Sequence, residues 1–483
     1  MSEQKTELKR TLGLLDATSI VAGSMIGSGI FIVTSEMARN VGSAGWLLFL
    51  WLLTGLITVF AALSYGELAG MMPNAGGQYI YIQRAYGRMI SFLYGWTVFT
   101  VIQTGVIAAV AVAFAKYTSV FFPELNTVIL TVSSFKITYA QLLGMASIVL
   151  LTYINSRGVK NGKSIQLIFT SAKLFALFAL IVLGLAIGFR GDVIVANFTN
   201  MWEASSTSVA VDGSLIIVPL AGAALLGAMG STIINSLFSS DAWNNVTFIA
   251  AEIKDPKKNI PRSLFLGTFI VTIIYILANV AYLALLPIKG DPAAADALGQ
   301  GIMFPSNDRV GAAAASMIMG DPAVYVMALL IMVSTFGCNN GLILSGARLF
   351  YAMAKDGLFF KKAASLNEKQ VPSTALWLQC LWACVLCLSG KYGDLLTYAT
   401  FASLLFYILT IGGIFILRKK EPDTERPYKA FGYPVIPALY ILITTAICID
   451  LLIYQTLNTG IGLVIVLLGI PVYYLTQKEA PSM

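Results

Sequence analysis

Long runs of residues with almost no charged side chains constrain the fold of this chain more than any other feature. A helix needs about 20 consecutive apolar residues to cross the hydrocarbon core of a bilayer. Backbone polar groups find no water in that core, so each must be hydrogen-bonded within the protein, which favours helices. The runs predict an all-α integral membrane protein with 12 transmembrane helices, at roughly 12–34, 45–66, 89–115, 138–156, 164–188, 215–251, 263–287, 323–350, 373–389, 393–417, 434–454 and 459–476.

The composition agrees with a chain that lies mostly within a membrane. Apolar residues make up 57% of the 483 residues and charged residues 11%, whereas soluble domains are about half apolar and about a quarter charged. The chain has no histidine, the commonest catalytic base and zinc ligand. Its 5 cysteines lie in apolar stretches, and the longest polar loop, 289–321, is too short for a catalytic domain. We therefore expect no enzyme activity, no metal and no cofactor.

Lysine and arginine are distributed unevenly between the two sides of the predicted membrane region. Of the 31 such residues, 23 lie on the side of the N-terminus and 7 on the opposite side, while Lys173 lies within a span. Cytoplasmic loops of membrane proteins carry an excess of Lys and Arg. The bias places the N-terminal residues 1–11 and the C-terminal residues 477–483 in the cytoplasm. It also explains the net charge of +7 without a nucleic-acid partner.

Two of the predicted spans are interrupted by residues that a helix in lipid does not need. The first contains Gly23 to Gly29, with the sequence GSMIGSG, and the sixth contains Phe238 to Asn245, with the sequence FSSDAWNN. Unwound backbone at membrane depth is tolerated only where it is buried in protein or lines a cavity. Taken alone, Gly23 and Gly27 also fit a close helix-packing interface. Interruptions at corresponding places in two five-helix halves, however, are typical of a transporter site.

Lys173 lies about ten residues into the fifth span, which is about 15 Å from the nearer end of that helix at 1.5 Å per residue. Lysines near helix ends commonly extend their ammonium groups to the membrane surface. The ammonium group of Lys173 cannot easily reach either membrane surface from this depth. The position therefore favours a fixed cation that faces polar groups inside the bundle.

These features and several short motifs resemble the amino acid/polyamine/organocation transporters, and within them the L-type amino acid transporter branch. Each motif is short, but the set covers almost the whole chain in the family's order. The matching stretches are Ile26–Phe31 (IGSGIF), Tyr65–Leu68 (YGEL) with Pro73, Gly76–Gly77 and Tyr79–Tyr81, Lys173 between Ala172 and Leu174, Phe238–Trp243 with Glu252, Pro256 and Pro261, Phe336–Gly337 with Asn340–Gly341 and Arg348–Leu349, and Arg426–Lys429 with Gly432–Pro434.

The resemblance implies a leucine-transporter-type fold with a five-plus-five inverted repeat, in which helices 1 and 6 are broken. The first repeat, helices 1–5, would occupy residues 12–188. The second repeat, helices 6–10, would occupy residues 215–417. Helices 11 and 12, at residues 434–476, would lie outside this core.

The resemblance also implies how an amino acid is bound. In the family, amide groups at the break of helix 1 bind the substrate carboxylate, and free N–H groups at the start of a helix do form an anion site. The ammonium would meet carbonyl groups released by the breaks of helices 1 and 6. The residues at matching positions are Gly27, Ser28 and Gly29 for the carboxylate, Ile26, Phe238 and Ser239 for the ammonium, and Phe238 again for an aromatic gate on the outer side.

Lys173 corresponds to a family lysine that lies where sodium-coupled relatives hold a sodium ion. The match implies transport without sodium and a tether from the first helix to the eighth. Many relatives have a serine directly after the pair that matches Asn340-Gly341, where this chain has Leu342. Asn340 and Ser345 are therefore the candidate partners of Lys173 on the eighth helix.

Asp241 leaves two interpretations open. L-type members commonly have a small neutral residue here, and a carboxylate that faces the pocket would favour lysine or arginine as substrates. Alternatively, Asp241 binds polar groups of the broken helix, and a neutral amino acid lies beside it.

The loop at 116–139 has no cysteine, although animal members are linked through a cysteine in this loop to a glycoprotein heavy chain. We therefore expect no disulfide-linked heavy chain and a bacterial inner-membrane protein that functions as a monomer. The expected function is sodium-independent exchange of small to mid-sized neutral L-amino acids by alternating access. The alternatives are proton-coupled import, with Lys173 or Glu67 as the titrating group, and transport of cationic amino acids or polyamines. A channel or a membrane sensor is disfavoured, because the polar residues concentrate at one depth and no output domain is present.

Overall fold

The computed structural model describes residues 10–132, 135–186, 188–388 and 392–478. Parts of the two predicted cytoplasmic termini, residues 1–9 and 479–483, lie outside the described residues. Within the described residues, 10 helices are long and apolar enough to cross a membrane. The predicted first span, which is broken, and the predicted ninth span correspond to shorter helices. The prediction of an all-α, multi-pass membrane protein is therefore confirmed.

The described residues form 19 α-helices and four short strands. A five-residue π-helical turn, Val98–Ile102, joins α5 to α6 within the third membrane helix. The helices are α1 Leu14–Met25, α2 Val33–Val41, α3 Ala44–Met71, α4 Gln78–Tyr86, α5 Arg88–Thr97, α6 Gln103–Thr118, α7 Tyr139–Ser156, α8 Val159–Ala186, α9 Gly191–Thr199, α10 Gly222–Ser239, α11 Asn245–Phe248, α12 Pro256–Leu285, α13 Ala297–Gln300, α14 Val310–Met319, α15 Ala323–Lys355, α16 Ser373–Leu388, α17 Tyr392–Lys420, α18 Val435–Tyr454 and α19 Thr456–Lys478. The strands are β1 Val128–Val132, β2 Phe135–Thr138, β3 Ser205–Val209 and β4 Leu215–Pro219.

The predicted start of the sixth span at residue 215 is wrong. Residues 215–219 form β4, which pairs antiparallel with β3, and the helix begins at Gly222. The sequence LIIVP is as apolar as a membrane helix, but its β-branched residues favour a strand. Gly213 has a φ of +84° in the turn between the two strands, a conformation that glycine adopts without steric cost. Apolar character alone could not separate this hairpin from the helix that follows it.

Two groups of helices hold the broken segments between them. The helix α12 packs along α3 and α1, and α10 packs against α3. On the other side, α15 packs against α1, α6 and α8. The breaks of the first and sixth membrane helices therefore lie inside the bundle, where neighbouring helices surround them.

Ion pairs with buried carboxylates join membrane helices to the loops and helix ends that carry most of the positive charge. The Glu67 carboxylate at the end of α3 accepts hydrogen bonds from Arg418 Nε at 2.9 Å and Nη2 at 2.6 Å. It also accepts one from the Ala430 amide at 2.7 Å. In a second pair, Arg348 Nε donates to Glu252 Oε1 at 2.8 Å, and both side chains are almost fully buried. Removing one member of such a pair leaves an uncompensated buried charge.

Candidate functional site

The breaks of the first and sixth membrane helices meet at one central cavity. The helix α1 ends at Met25 and α2 begins at Val33, while α10 ends at Ser239 and α11 begins at Asn245. The cavity is lined by both breaks, by α5 to α6, by α15 and by α17. Its lining residues are Ser24, Met25, Gly27, Ser28, Gly29, Gln78, Tyr94, Val98, Ile102, Gln103, Val106, Val110, Phe238, Ser239, Asp241, Ala242, Asn244, Asn245, Phe248, Cys338, Leu342, Ser403 and Tyr407.

The glycines of the first break have different packing roles. A Cβ atom built on Gly29 would lie 2.8 Å from Ser239 Cβ and 3.1 Å from Ser239 Cα, so the two broken segments touch here. A Cβ atom on Gly23 would collide with the amide of Gln166 and the hydroxyl of Thr170 on α8. Gly27 has ordinary room, with Cys338 Sγ at 3.5 Å from such an atom. The helix-packing interpretation therefore holds for Gly23, and the close approach of the two breaks depends on Gly29.

The first break leaves backbone donors beside the cavity. The amide N–H of Ile26 still bonds the carbonyl of Ala22, and that of Phe31 bonds the carbonyl of Ser28. Between them, the N–H groups of Gly27 and Gly29 have no acceptor among the described residues. Gly29 begins a three-residue 3-10 turn, Gly29–Phe31, that leads towards α2, and unpaired N–H groups at such a start attract an anion.

Lys173 is fully buried, and its ammonium group binds the first break directly. Its Nζ atom donates to the carbonyl oxygens of Gly23 at 2.7 Å, Ile26 at 2.5 Å and Ser334 at 3.1 Å. Since an ammonium group has three donors, these carbonyls use all of them. The side chain thereby connects α8 to the end of α1 and to α15.

The prediction that Asn340 or Ser345 is the partner of Lys173 on the eighth membrane helix is wrong. Asn340 is hydrogen-bonded with Asn155 at 2.9 Å and with Gln166 at 3.1 Å. The Ser345 hydroxyl donates to carbonyl groups of its own helix. The partner on α15 is the backbone carbonyl of Ser334, which no side-chain motif could have revealed.

Ile26 does not line the cavity, contrary to its predicted place in the substrate site. Its carbonyl accepts hydrogen bonds from Lys173 Nζ and, at 3.2 Å, from Ser334 Oγ. Both lone pairs of this oxygen are therefore in use. Among the predicted ammonium ligands, Phe238 and Ser239 line the cavity.

Asp241 lies in a network of buried polar groups at the edge of the cavity. Its Oδ1 atom accepts a hydrogen bond from the Tyr407 hydroxyl at 2.5 Å. Tyr407 also approaches Asn244 Oδ1 at 3.3 Å, and Asn244 Nδ2 donates to Gln78 Oε1 at 2.7 Å. Tyr94 donates to the same Gln78 oxygen at 2.9 Å. The network joins the sixth membrane helix to α4, α5 and α17.

Phe238 lies between the central cavity and a second one. It is half-buried and lines the central cavity, while Ile234 and Asn235, one helical turn earlier, line a cavity that also includes Glu36 and Lys116. The role of Phe238 as an aromatic gate stays a prediction from the sequence.

The structure adds site residues that sequence reasoning missed. Tyr407 and Ser334 lie in apolar runs without a recognisable motif, and only their spatial neighbours reveal their roles. The cavity wall formed by Val98, Ile102, Val106 and Val110 has a helical spacing of four residues. Such a stripe in the sequence is equally consistent with ordinary helix packing.

Within the described part of the chain, no cluster of three or more His, Cys, Asp or Glu residues could hold a metal ion.

Comparison with known proteins identifies similar chains. A family model described as amino acid permease matches residues 12–472. The large neutral amino acids transporter small subunit 2 of Mus musculus is 31% identical over 469 residues, which cover 97% of this chain and 81% of the relative. The b(0,+)-type amino acid transporter 1 of Mus musculus is 29% identical over 91% of this chain and 82% of the relative. The Asc-type amino acid transporter 1 of the same species is 29% identical over 98% of this chain and 82% of the relative.

The name of the first relative describes it as a small subunit, and therefore as part of a larger assembly. This conflicts with the prediction of no disulfide-linked heavy chain and of a protein that functions as a monomer. That prediction depended on the absence of cysteine from the loop at 116–139, an observation that bears only on a covalent link through that loop.

Proposed function

This chain belongs to the amino acid permease family and is an amino acid transporter rather than an enzyme, and we propose that it exchanges small to mid-sized neutral L-amino acids without sodium. The main support is the meeting of two broken helices at one cavity. The N–H groups of Gly27 and Gly29 would bind the substrate carboxylate, together with Ser28. The carbonyl oxygens of Phe238 and Ser239 would bind its ammonium group, because each retains a lone pair beside its present donor.

Sodium independence is supported by Lys173. A cation that bridges the first break and α15 would require oxygen ligands from both, and the ammonium group already occupies carbonyls of both elements. We propose that Lys173 keeps the break in its binding geometry during every cycle, so that no dissolved cation is needed.

Exchange by alternating access is supported by the two groups of helices described above. The helices α1, α3, α10 and α12 pack together and would rock against the group that contains α15. Phe238 would close the site from outside.

We propose that the inverted repeats occupy residues 12–188 and 215–417. The sixth membrane helix itself begins at Gly222. Residues 434–476 lie outside the repeats. The charge bias supports a location in the cell membrane with both termini in the cytoplasm.

A neutral substrate is supported by the environment of Asp241. Its Oδ1 atom accepts a hydrogen bond from Tyr407. This carboxylate oxygen therefore belongs to the polar network that holds the broken helix. The apolar stripe of Val98, Ile102, Val106 and Val110 provides a wall for an uncharged side chain. The name of one relative also supports an uncharged substrate, since it describes a transporter of large neutral amino acids.

Counterflow in liposomes tests the proposed function. The purified protein is reconstituted into liposomes that contain an unlabelled neutral amino acid, and uptake of a labelled one is followed. We expect several-fold faster uptake than into empty liposomes, with no change when choline replaces sodium. Uptake into empty liposomes that is driven by a pH gradient alone would instead indicate proton-coupled import and contradict exchange.

Substitution of Asp241 by asparagine tests the assignment of neutral substrates. Asparagine retains an acceptor for the Tyr407 hydroxyl but loses the charge-assisted bond, which is worth about 1 kcal/mol, or about fivefold in rate. We expect a similar decrease for all neutral substrates in counterflow, and Tyr407→Phe should produce the same pattern. A loss confined to lysine and arginine would show that Asp241 recognises cationic side chains.

A further inference from the structure

Another cavity, at the junction of α17 and the loop that leads to α18, is lined by three basic residues and two others. Its lining residues are Arg418, Pro422, Thr424, Arg426 and Lys429. Every charged residue that lines it within the described part of the chain is a cation. The long apolar helix α17 ends in three consecutive cations, Arg418 to Lys420, directly before the loop that lines the cavity. Such a sequence is typical of a membrane boundary.

The loop around this cavity is held in a fixed shape. Arg426 Nη1 donates to the carbonyls of Pro422 and Thr424, and its Nη2 donates to those of Leu417 and Glu421. Because these donors are engaged by the backbone, the loop surrounds the guanidinium group and is organised before any ligand arrives.

Two donors at the cavity remain available for an anion. Arg418 uses Nε and Nη2 for Glu67, and its Nη1 has no acceptor among the described residues. Lys429 is exposed, and its ammonium group likewise has no described partner. Glu67 is the carboxylate that pairs with Arg418 and Arg426, and Asp423, between two lining residues, is exposed and does not line the cavity. The nearby acids Glu421 and Glu425 are paired with Arg84 and Lys257.

One lining residue of the cavity, Arg418, also contacts the segment that leads into α18. The Arg418 guanidinium lies over the ring of Tyr433, 3.6 Å from its centroid, directly before α18. On α18, Val435, Leu439 and Leu442 are exposed, with the spacing i, i+4 and i+7 that places them on one helical face. A ligand with a phosphate at Arg418 and apolar chains along this face would match both surfaces.

We propose that this basic cavity binds the phosphate group of an anionic phospholipid, whose acyl chains lie along the exposed face of α18. Basic pockets at the ends of transmembrane helices are suited to such headgroups. Lys429 is the lining cation best suited to substitution, because it makes no hydrogen bond or ion pair with other described residues. Since Arg418 and the Ala430 amide also hold Glu67 on α3, the lipid would strengthen the connection between α3 and α17.

The test compares the wild-type protein, Lys429→Gln and the control Lys361→Gln, which removes an exposed cation from the loop before α16. Each protein is equilibrated with vesicles of phosphatidylcholine that contain phosphatidylglycerol, and the bound phosphatidylglycerol is counted by native mass spectrometry. One cation near an anionic surface is worth about 1 kcal/mol, or about fivefold in affinity. We expect about fivefold less bound phosphatidylglycerol for Lys429→Gln and no change for Lys361→Gln.

Thermal unfolding in detergent separates the two sources of phosphate. Wild-type protein is heated with phosphatidylglycerol or with inorganic phosphate alone, and we expect stabilisation only by the lipid. If inorganic phosphate stabilises the wild-type protein and the lipid does not, the site binds free phosphate and the lipid proposal is wrong. Equal loss of lipid from both lysine variants would also overturn it, because the binding would then follow surface charge in general.

Discussion

Replacing Lys173 by alanine is expected to reduce counterflow by about 100-fold or more. The substitution leaves the carbonyls of Gly23, Ile26 and Ser334 without their shared donor. A buried acceptor without a partner costs about 1–3 kcal/mol, and a total loss of about 3 kcal/mol corresponds to about 100-fold in rate. The first break would no longer be tied to α15, so the N–H groups that face the substrate carboxylate would lose their fixed direction.

Initial rates of counterflow in liposomes, normalised to the amount of reconstituted protein, measure this effect. Lys289→Ala removes an exposed lysine and serves as the control, which should retain wild-type exchange. If Lys173→Ala fails to fold, Ser334→Ala gives a milder test, because the Ser334 hydroxyl donates to the carbonyls of Ile26 and Gly27 across the same junction. Wild-type exchange by folded Lys173→Ala would refute the tether.

The elements of this site that were predictable from sequence are those with a local physical cause. Gly23 to Gly29 weakens a helix by composition alone, and an acid within an apolar run, such as Asp241, requires a polar environment wherever the chain places it. Lys173 was recognisable for the same reason, since its depth in a helix follows from counting residues. Local sequence thus indicated where the chain departs from a simple membrane helix.

The partners of these residues could not be predicted, because they depend on three-dimensional packing. Tyr407 lies 166 residues from Asp241, and no spacing in the sequence connects them. Ser334 contributes a backbone carbonyl to Lys173, and every residue has a carbonyl, so its side chain gives no signal. Asn340 was a reasonable candidate by type, but its Oδ1 atom accepts from Asn155 and its Nδ2 atom donates to Gln166. Sequence reasoning therefore identified the groups that need partners, and the fold selected those partners.

Gly29→Ala is expected to reduce exchange by up to about 100-fold, because overpacking of this kind costs about 1–3 kcal/mol. The added methyl group would lie 2.8 Å from Ser239 Cβ and 3.1 Å from Ser239 Cα. A hydroxyl can rotate away, but a backbone atom cannot, so the two broken helices must separate. Gly29 is not among the residues with positive φ, and alanine therefore introduces no backbone strain there. The expected loss arises from this collision alone.

A double variant isolates that cause in the same counterflow assay. Ser239→Gly removes the hydroxyl and Cβ that the new methyl group would meet, so that only the backbone of residue 239 remains near it, at 3.1 Å. The combination of Gly29→Ala with Ser239→Gly should therefore exchange faster than Gly29→Ala alone, whereas independent effects would make it slower. Gly105→Ala is the control, since nothing lies within 4 Å of a Cβ atom at that position. Normal exchange by Gly29→Ala would contradict this argument. It would mean that the two broken segments can lie further apart at Gly29 and Ser239 without loss of function.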